Sequence, residues 1–320
     1  MNLSALIAAY QTDPDSTFHK KRYAVRVGQA TLMRRIGEKH GTVELSEIKG
    51  RLLRAWHKDW SGDGEKLSYG HAFIGQLRTM LGFGFTMLED PDCERLCGVL
   101  HTLRFPMGKP RTERLTSDQA DAIRREAHKR GWWSIALAQA FQFEVLLRQK
   151  DCLGEYVPLS EPGISDVIYR QEKWITGMRW SEIDENMILR HVTSKRQKVI
   201  EADLKLCPMV MEELQHATRT PDGPVILCEV AGLPWSAAEF RRKWRILADA
   251  AGIPRSVRNM DSRSGGITES FEAGVRPDAI QLTATHSDLS MTQRYHRSSH
   301  LETRSEAQVQ RVEFRKQQGR

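Results

Sequence analysis

Residues 133–148 constrain the fold of this chain more than any other segment. Within them, apolar residues surround the whole circumference of a helix: Ile135, Leu137, Ala138, Phe141, Val145 and Leu146. A helix that is apolar on every side is stable only where other elements cover it. The segment therefore predicts a helix at the centre of a large core. Arg148 ends that helix, and a charge there needs an acidic partner or projects into an anion site.

The sequence before this helix divides the chain into two domains. Thr116 is predicted to begin a helix, because Gln119 completes a capping box three residues later. Residues 105–111 contain two prolines, a glycine, Lys109 and Arg111, which is typical of an extended basic linker. We therefore expect one domain at residues 1–108 and a second at residues 109–320.

The first domain is predicted to be helical. Apolar residues recur at helical spacing from Leu3 to Tyr10, and a second helix is expected to begin at Ser16. The early turns of that second helix carry four cations, namely Lys20, Lys21, Arg22 and Arg26. Such cations either bind phosphates or form an ordinary solvated surface.

The second domain is predicted to add a small three-stranded antiparallel sheet to a mainly α fold. Residues 178–184, 187–192 and 199–204 have strand-like composition, and the turn between the last two contains Lys195. Residues 154–173 hold two prolines and are expected to form an irregular excursion. Further helices are expected to begin at Ser236, Asp261 and Pro277.

Charge and cysteine content narrow the class of protein. A formal net charge of +7 favours a polyanionic partner, most often nucleic acid. The five cysteines are scattered, so no disulfide framework is predicted. Cys93 and Cys97 lie one helical turn apart near His101, but they suit buried helix positions better than a metal site. No signal peptide or membrane span is recognisable, so a cytoplasmic protein is expected.

A histidine and a tyrosine near the carboxyl end suggest phosphate chemistry. Tyr295 lies nine residues after His286 and is flanked by Arg294 and Arg297. Nearby cations favour a phenolate and hold an anionic substrate, so this tyrosine suits nucleophilic attack on a phosphate. Taken alone, the same residues suit a structural helix that begins at Ser290 better than a catalytic site.

Cleavage of a phosphodiester requires three kinds of group. Arginine has a planar fork that matches two phosphate oxygens. Tyrosine can supply the nucleophile, and lysine can protonate the leaving 5′-oxygen. Because arginines can take the electrostatic role of a metal, no metal or other cofactor is expected.

The second domain contains such groups in an order that resembles the tyrosine recombinases, or phage integrase family. The matching segments are Arg148-Gln149-Lys150-Asp151, the strand-like residues 178–184, Thr193-Ser194-Lys195, Met260-Asp261-Ser262-Arg263 followed by Glu272-Ala273-Gly274, and then His286 and Tyr295. The resemblance covers roughly residues 112 to 300. The helical first domain resembles the family's core DNA-binding domain more loosely.

The resemblance implies a role for each residue. Arg148 and Arg263 would hold the scissile phosphate, and His286 would hydrogen-bond one of its oxygens. Tyr295 would attack and carry the 3′-phosphate, while Lys195 would protonate the 5′-oxygen. The resemblance also implies a site-specific DNA recombinase or integrase that acts on double-stranded DNA at the nucleoid. Its synaptic complex would be a homotetramer, with DNA-bending proteins as accessory partners.

Two residues depart from the family pattern. Arg179 competes with Arg148 for the first arginine role, but it falls inside the expected first strand. Assigning Arg148 requires an insertion at residues 154–173. Met260 stands where the family usually has a histidine, and methionine cannot transfer a proton. Two alternatives therefore remain, namely a weakened or inactive DNA-binding protein derived from a recombinase, and an enzyme like type IB topoisomerase.

Overall fold

A computed structural model describes residues 1–295 and 300–317. The chain divides into two compact units, Met1–Arg111 and Thr112–Arg320. Arg297, one of the two arginines expected beside Tyr295, lies outside the described residues. Within the described ranges, no helix combines the length and apolar character needed to cross a membrane.

The amino-terminal unit is helical, as the sequence predicts. Its helices are α1 (Leu3–Thr12), α2 (Tyr23–His40), α3 (Gly50–Trp60), α4 (Leu67–Leu88) and α5 (Pro91–Thr102). The core contains large side chains from all of them, including Tyr10, Met33, Trp56, Phe73 and Leu96. Asn2 caps α1 by accepting a hydrogen bond from the Ala5 backbone, and Asp90 caps α5 in the same way.

The second helix begins later than the sequence suggested. The Ser16 hydroxyl accepts a hydrogen bond from the Phe18 backbone N–H at 3.2 Å, and the chain forms turns until Arg22 caps α2. A serine that bonds its own local backbone favours a turn over a helix. Lys20, Lys21 and Arg22 therefore precede α2, and only Arg26 lies in its first turn.

The carboxyl-terminal unit is also mainly helical. Its helices are α6 (Ser117–His128), α7 (Trp133–Phe143), α8 (Gln149–Leu153), α9 (Pro208–Leu214), α10 (Ala237–Ala250), α11 (Asp261–Glu272), α12 (Pro277–Thr283), α13 (Leu289–Gln293) and α14 (His300–Gln317). The predicted capping box of Thr116 and Gln119 begins α6. Ser236 caps α10, and Pro277 is the first residue of α12.

The helix expected at residues 133–148 is buried but shorter than predicted. Every residue of α7 from Ser134 to Phe143 is buried. The helix then ends, and Leu146 adopts a left-handed backbone conformation with φ +57°, which no α-helix continues through. Arg148 is consequently the N-cap of α8 rather than the last residue of the buried helix.

The strand prediction was wrong in part. The strands are β1 (Glu155–Pro158), β2 (Ile168–Tyr169), β3 (Glu172–Ile175), β4 (Ile188–Val192) and β5 (Val199–Asp203). The antiparallel three-stranded sheet has the order β1-β3-β2, while β4 and β5 form a separate hairpin. The expected strands at 187–192 and 199–204 are confirmed as this hairpin. The expected strand at 178–184 does not form. Residues 154–173, expected to be irregular, contain β1, β2 and the start of β3, with turns and loops between these strands.

Local side-chain bonds explain why residues 178–184 are not a strand. The Glu182 carboxylate accepts the Arg179 backbone N–H at 2.8 Å and closes a short 3-10 turn at Trp180–Glu182. The Asp184 carboxylate accepts the backbone N–H groups of Asn186 and Ile188. The bond from Arg179 occupies a backbone donor that a strand at 178–184 would use in its ladder, while the bonds to Asp184 form the turn that leads into β4.

The β1–β3 sheet forms around one tryptophan. The Trp174 side chain is buried, and its Nε1–H donates to the Leu153 carbonyl at 2.7 Å. Gly154 and Gly177 leave room for the indole, because a Cβ at Gly177 would lie 2.1 Å from Trp174 Cζ2. A proline-containing segment thus becomes ordered because its strands share a large buried side chain.

Two glycines set the close packing of α11 against the end of α7. A Cβ at Gly265 would lie 1.9 Å from the Leu115 carbonyl oxygen, and one at Gly266 would lie 2.0 Å from the Phe143 carbonyl oxygen. Backbone atoms cannot move aside as a flexible side chain can, so only glycine is tolerated at these positions.

We expect Gly266→Ala to lower the free energy of unfolding by about 3 kcal/mol, since overpacking against backbone costs this much. Urea unfolding followed by circular dichroism measures the change. Gly75→Ala in α4 is the matched control, because its added Cβ meets nothing within 4 Å and alanine is the better helix former by up to ~1 kcal/mol. Equal stability of the two variants would contradict the packing argument.

Candidate active site

Arg263 connects two loops of the carboxyl-terminal unit. It lies in the first turn of α11, and its guanidinium donates to the carbonyl oxygens of Leu146 and Ala284. Leu146 is in the loop between α7 and α8, and Ala284 ends α12. Burial and the nearby charge of Arg148 lower the pKa of Arg263 to about 10. The guanidinium is therefore still a cation at neutral pH.

Arg148 occupies the N-cap position of α8, where the backbone is extended. Its Nη1 donates to the Thr285 hydroxyl at 3.3 Å and lies 3.7 Å from Asp151 Oδ2. Its side chain is 24% exposed, so it remains accessible to a ligand. The guanidinium groups of Arg148 and Arg263 repel each other, and both interact with the single carboxylate of Asp151. Two positive charges near one negative charge leave an excess of positive charge, which favours an anionic ligand.

Asp151 connects Arg148 to the β4–β5 hairpin. It is fully buried, and its Oδ1 accepts the Ser194 backbone N–H at 2.7 Å. No role for this residue was predicted from the sequence. The available signal was its position three residues after Arg148, which places the two side chains on one face of a helical turn.

Lys195 lies at the exposed tip of the hairpin, directly after Ser194. In the described part of the chain, its ammonium forms no hydrogen bond or ion pair. The Asp151–Ser194 bond therefore brings the hairpin backbone to the site, while the lysine side chain remains in solvent. Lys198, to which the sequence analysis gave no role, approaches more closely, since its Nζ lies 3.5 Å from the His286 carbonyl oxygen.

His286 lies beside both arginines. It is only 5% exposed, and its Nδ1 is 2.9 Å from the Thr292 hydroxyl. Burial, followed by the charges of Arg263 and Arg148, lowers the pKa of His286 to about 4. The imidazole is therefore neutral at physiological pH. Thr285, directly before it, has a left-handed backbone with φ +50°, a conformation that costs energy in a β-branched residue.

Tyr295 stacks against His286. The two ring centroids are 5.9 Å apart and the ring planes differ by 15°. The tyrosine also packs against a small apolar cluster of Leu146, Ile267, Ile280 and Ala284. It is half-buried, and its phenolic group acts electrostatically on Arg263. Arg148, Arg263, His286 and Tyr295 therefore share one site.

The two departures from the family pattern also have defined positions. Met260 is the N-cap of α11, three residues before Arg263, and is 65% exposed. Arg179 bonds to Asp166 and to the Asp222 carbonyl, and its guanidinium lies 5.2 Å from the centroid of the Trp174 ring. The structure thus places Arg148, rather than Arg179, next to Arg263.

The cations that were predicted to bind phosphate differ in their exposure and in whether they have partners within the protein. Lys20 and Lys109 are exposed, and Arg111 is exposed but has a partner of its own. Lys21 donates to Tyr10 Oη at 2.7 Å and to Gln29 Oε1 at 3.1 Å, so its ammonium has a structural partner. Arg22 is exposed and Arg26 is half-exposed, and both have partners of their own.

Cys93 and Cys97 both lie on α5, where Cys93 is buried and Cys97 is partly buried. Burial, with a smaller contribution from Asp90, raises the pKa of the Cys93 thiol to about 12, which keeps it protonated. Among the described residues, no three His, Cys, Asp or Glu side chains are placed to hold a metal ion.

Comparison with known proteins supports one family and one fold. Residues 172–302 match the phage integrase family. The fold is similar to that of a lambda integrase dimer bound to a COC′ core site, with 16% identity and a TM-score of 0.71 over 93% of this chain and 98% of the other. No curated protein matches the chain at a significant level.

Further solved structures have the same fold. The chain is similar to a Tn1549 transposon integrase in complex with transposon right end DNA, with 13% identity and a TM-score of 0.65 over 98% of this chain and 99% of the other. It is also similar to a lambda integrase tetramer bound to a Holliday junction, with 15% identity and a TM-score of 0.69 over 94% and 80% of the two chains. Residues 172–302 therefore match the phage integrase family, and the chain has the fold of the lambda and Tn1549 integrase structures.

Proposed function

We propose that this protein is a site-specific DNA recombinase that cleaves and rejoins DNA through a covalent 3′-phosphotyrosine at Tyr295. The observation that carries the proposal is the shared site of Arg148, Arg263, His286 and Tyr295. Two cations, a neutral imidazole and a phenol on separate elements match the needs of phosphodiester cleavage better than those of a structural core.

The two arginines provide the phosphate-binding part of the site. Each guanidinium has five N–H donors in a fixed plane, and those of Arg263 that do not bond carbonyls can bond the non-bridging oxygens. Arg148 adds a second cation from α8. Because both groups are held before the substrate arrives, they stabilise the charge that develops on the phosphate in the transition state.

Tyr295 supplies the nucleophile, and Lys195 supplies the acid. The phenol loses its proton to solvent, its oxygen forms a bond to phosphorus, and the bond from phosphorus to the 5′-oxygen breaks. Lys195 gives a proton to that leaving oxygen, for which its mobile ammonium must move from solvent toward the phosphate. The phosphotyrosine conserves the bond energy, so a 5′-hydroxyl from another strand can reverse the reaction.

His286 acts as a neutral hydrogen-bond donor in this scheme. When the Thr292 hydroxyl donates to Nδ1, the proton of the imidazole lies on Nε2, from which it can bond a phosphate oxygen. The lowered pKa keeps this arrangement over the physiological pH range, because the charged form would be repelled by Arg148 and Arg263.

Double-stranded DNA is the proposed substrate and partner. The structures with the same fold include an integrase dimer on a core site and a tetramer on a Holliday junction. We infer a homotetrameric synaptic complex for this chain as well. Residues 1–108 would bind DNA through exposed cations such as Lys20, while residues 109–320, beginning with Lys109 and Arg111, would carry out catalysis.

Met260 supports one competing function, a DNA-binding protein that has lost cleavage. Its thioether cannot accept the proton of Tyr295, and its side chain is mainly in solvent. Such a protein would bind DNA with a steep salt dependence and form no covalent product.

The direct test is a nicked suicide duplex made from the flanks of the protein's own gene. Wild type is expected to form a covalent protein–DNA adduct, and Tyr295→Phe is expected to form none while binding DNA with unchanged affinity. Denaturing electrophoresis detects the adduct. An adduct that persists in Tyr295→Phe would overturn the proposal, and DNA binding without any wild-type adduct would favour the Met260 alternative.

Lys195→Ala is expected to lower the cleavage rate by about 10²- to 10⁴-fold, the usual contribution of a general acid. A substrate with sulfur in place of the bridging 5′-oxygen should restore cleavage, since a thiolate leaves without a proton. Lys198→Ala is the matched control from the same hairpin. If the sulfur-containing substrate restored cleavage by Lys198→Ala but not by Lys195→Ala, the general acid would be Lys198.

A pH titration tests the state of His286. Between about pH 6.5 and pH 4, an unfolded histidine takes up a proton while the folded residue stays neutral. Its contribution to stability is therefore lost as the pH falls through this window. Urea unfolding of wild type should show a steeper loss of stability from pH 7 to 4.5 than His286→Asn. A constant difference between the two proteins would show that the pKa of His286 is not lowered.

A further inference from the structure

A second pocket, lined in part by arginines, lies in the carboxyl-terminal unit. It has a volume of about 390 Å³, and its lining includes Gln149, Arg241, Arg245, Arg255, Arg258 and Asn259. Two of these residues are close in sequence to the phosphate-binding arginines, since Gln149 follows Arg148 and Asn259 precedes Arg263 by four residues. None of these six residues has a role in the proposed cleavage reaction.

Asn259 is the unusual member of the lining. Its side chain is 5% exposed, yet neither Oδ1 nor Nδ2 has a hydrogen-bond partner within the protein. Gln149 Nε2 is buried without a partner as well. Buried polar atoms are paired in the great majority of cases, so two unpaired amides on one pocket point to a ligand that pairs them.

The charge of the pocket identifies the kind of ligand. Among the described residues, its lining contains four arginines and no carboxylate. Arg245 has a structural role, since it donates to the carbonyls of Ile253 and Val257, and Asp249 lies near both Arg245 and Arg255. Arg241 and Arg258 are exposed, and neither forms an ion pair within the described ranges. Amide N–H donors beside guanidinium groups suit a phosphate.

We propose that this pocket binds a phosphodiester of the DNA backbone other than the scissile one, an inference that rests on the proposed function. The amide of Asn259 and the guanidinium of Arg258 donate to the phosphate oxygens, and Gln149 Nε2–H adds a third donor. The segments that hold Arg148 and Arg263 also supply this pocket, so a strand bound at the first site continues toward the second.

Met260 also lines the pocket. It is exposed there and offers no N–H or O–H donor. The donors just before α11 therefore belong to Asn259 and Arg258. In this arrangement Asn259 positions the DNA strand and is not a catalytic residue, because the phosphate that it contacts is not the one that reacts.

The test measures binding of a short duplex DNA to the full-length chain in a Tyr295→Phe background, so that cleavage does not interfere. Asn259→Asp keeps the side-chain size but adds a negative charge, and Arg258→Ala removes a cation. Arg242→Ala is the matched control, since Arg242 is exposed on α10 and pairs with Glu239 outside the pocket. Circular dichroism and thermal unfolding confirm that each variant is folded.

We expect Asn259→Asp and Arg258→Ala each to weaken DNA binding about tenfold at about 50 mM salt. Each should also reduce the slope of log K against log[salt] by about 0.9, the value for one phosphate contact. Arg242→Ala should change neither quantity. Equal effects of Arg242→Ala and Arg258→Ala would overturn the proposal, because the loss would then reflect net charge alone.

Inorganic phosphate provides the second arm of the experiment. If Asn259→Asp abolished calorimetric binding of inorganic phosphate but left DNA affinity unchanged, the pocket would serve a free anion and the proposal would be wrong. Covalent adduct formation by wild-type Tyr295 separates this inference from the proposed function. Weakened DNA binding by Asn259→Asp without a wild-type adduct would support the pocket and refute the recombinase.

Discussion

The bonds from the Arg263 guanidinium to the carbonyls of Leu146 and Ala284 determine the geometry of the site. A buried cation is stable only where neighbouring dipoles or charges replace its hydration. Here two backbone carbonyls replace the hydration of the guanidinium. One lies in the loop after α7, and the other lies at the end of α12. Each carbonyl lies within two residues of a group that the chemistry needs, namely Arg148 and His286. One side chain therefore fixes the distance between two others.

This arrangement depends on backbone conformations that are individually unfavourable. Leu146 and Thr285 both have left-handed backbones, and each adjoins one of the loops that Arg263 connects. Gly265 and Gly266 let α11 approach the Leu115 and Phe143 carbonyls closely enough for its arginine to reach those loops. The core around α7 supplies the stability that tolerates this strain. The site is thus rigid because its surroundings permit few alternatives.

The sequence predicted the individual helices more accurately than the contacts between residues that are distant in sequence. The apolar run of residues 133–148 correctly identified the buried helix, and the capping signals of Thr116, Ser236 and Pro277 located three helix starts. These signals are local, since each depends on a few neighbouring residues. The sheet at residues 155–175 depends instead on Trp174 filling a space beside Gly154 and Gly177, a tertiary contact without a periodic pattern. The part played by Asp151 was missed for the same reason, because its partner Ser194 lies 43 residues away.

The same physical reasoning bears on the departure at Met260. A histidine at the start of α11 would lie one turn from Arg263, whose charge, after burial and together with that of Arg148, lowers the pKa of His286 to about 4. Protonation of a second imidazole there would be opposed by the same charges. In the proposed reaction Arg148 and Arg263 hold the phosphate before the substrate reacts, and Met260 is not one of the groups that bind it. The cost of methionine in that scheme therefore falls on the rate of attack rather than on the binding of the phosphate.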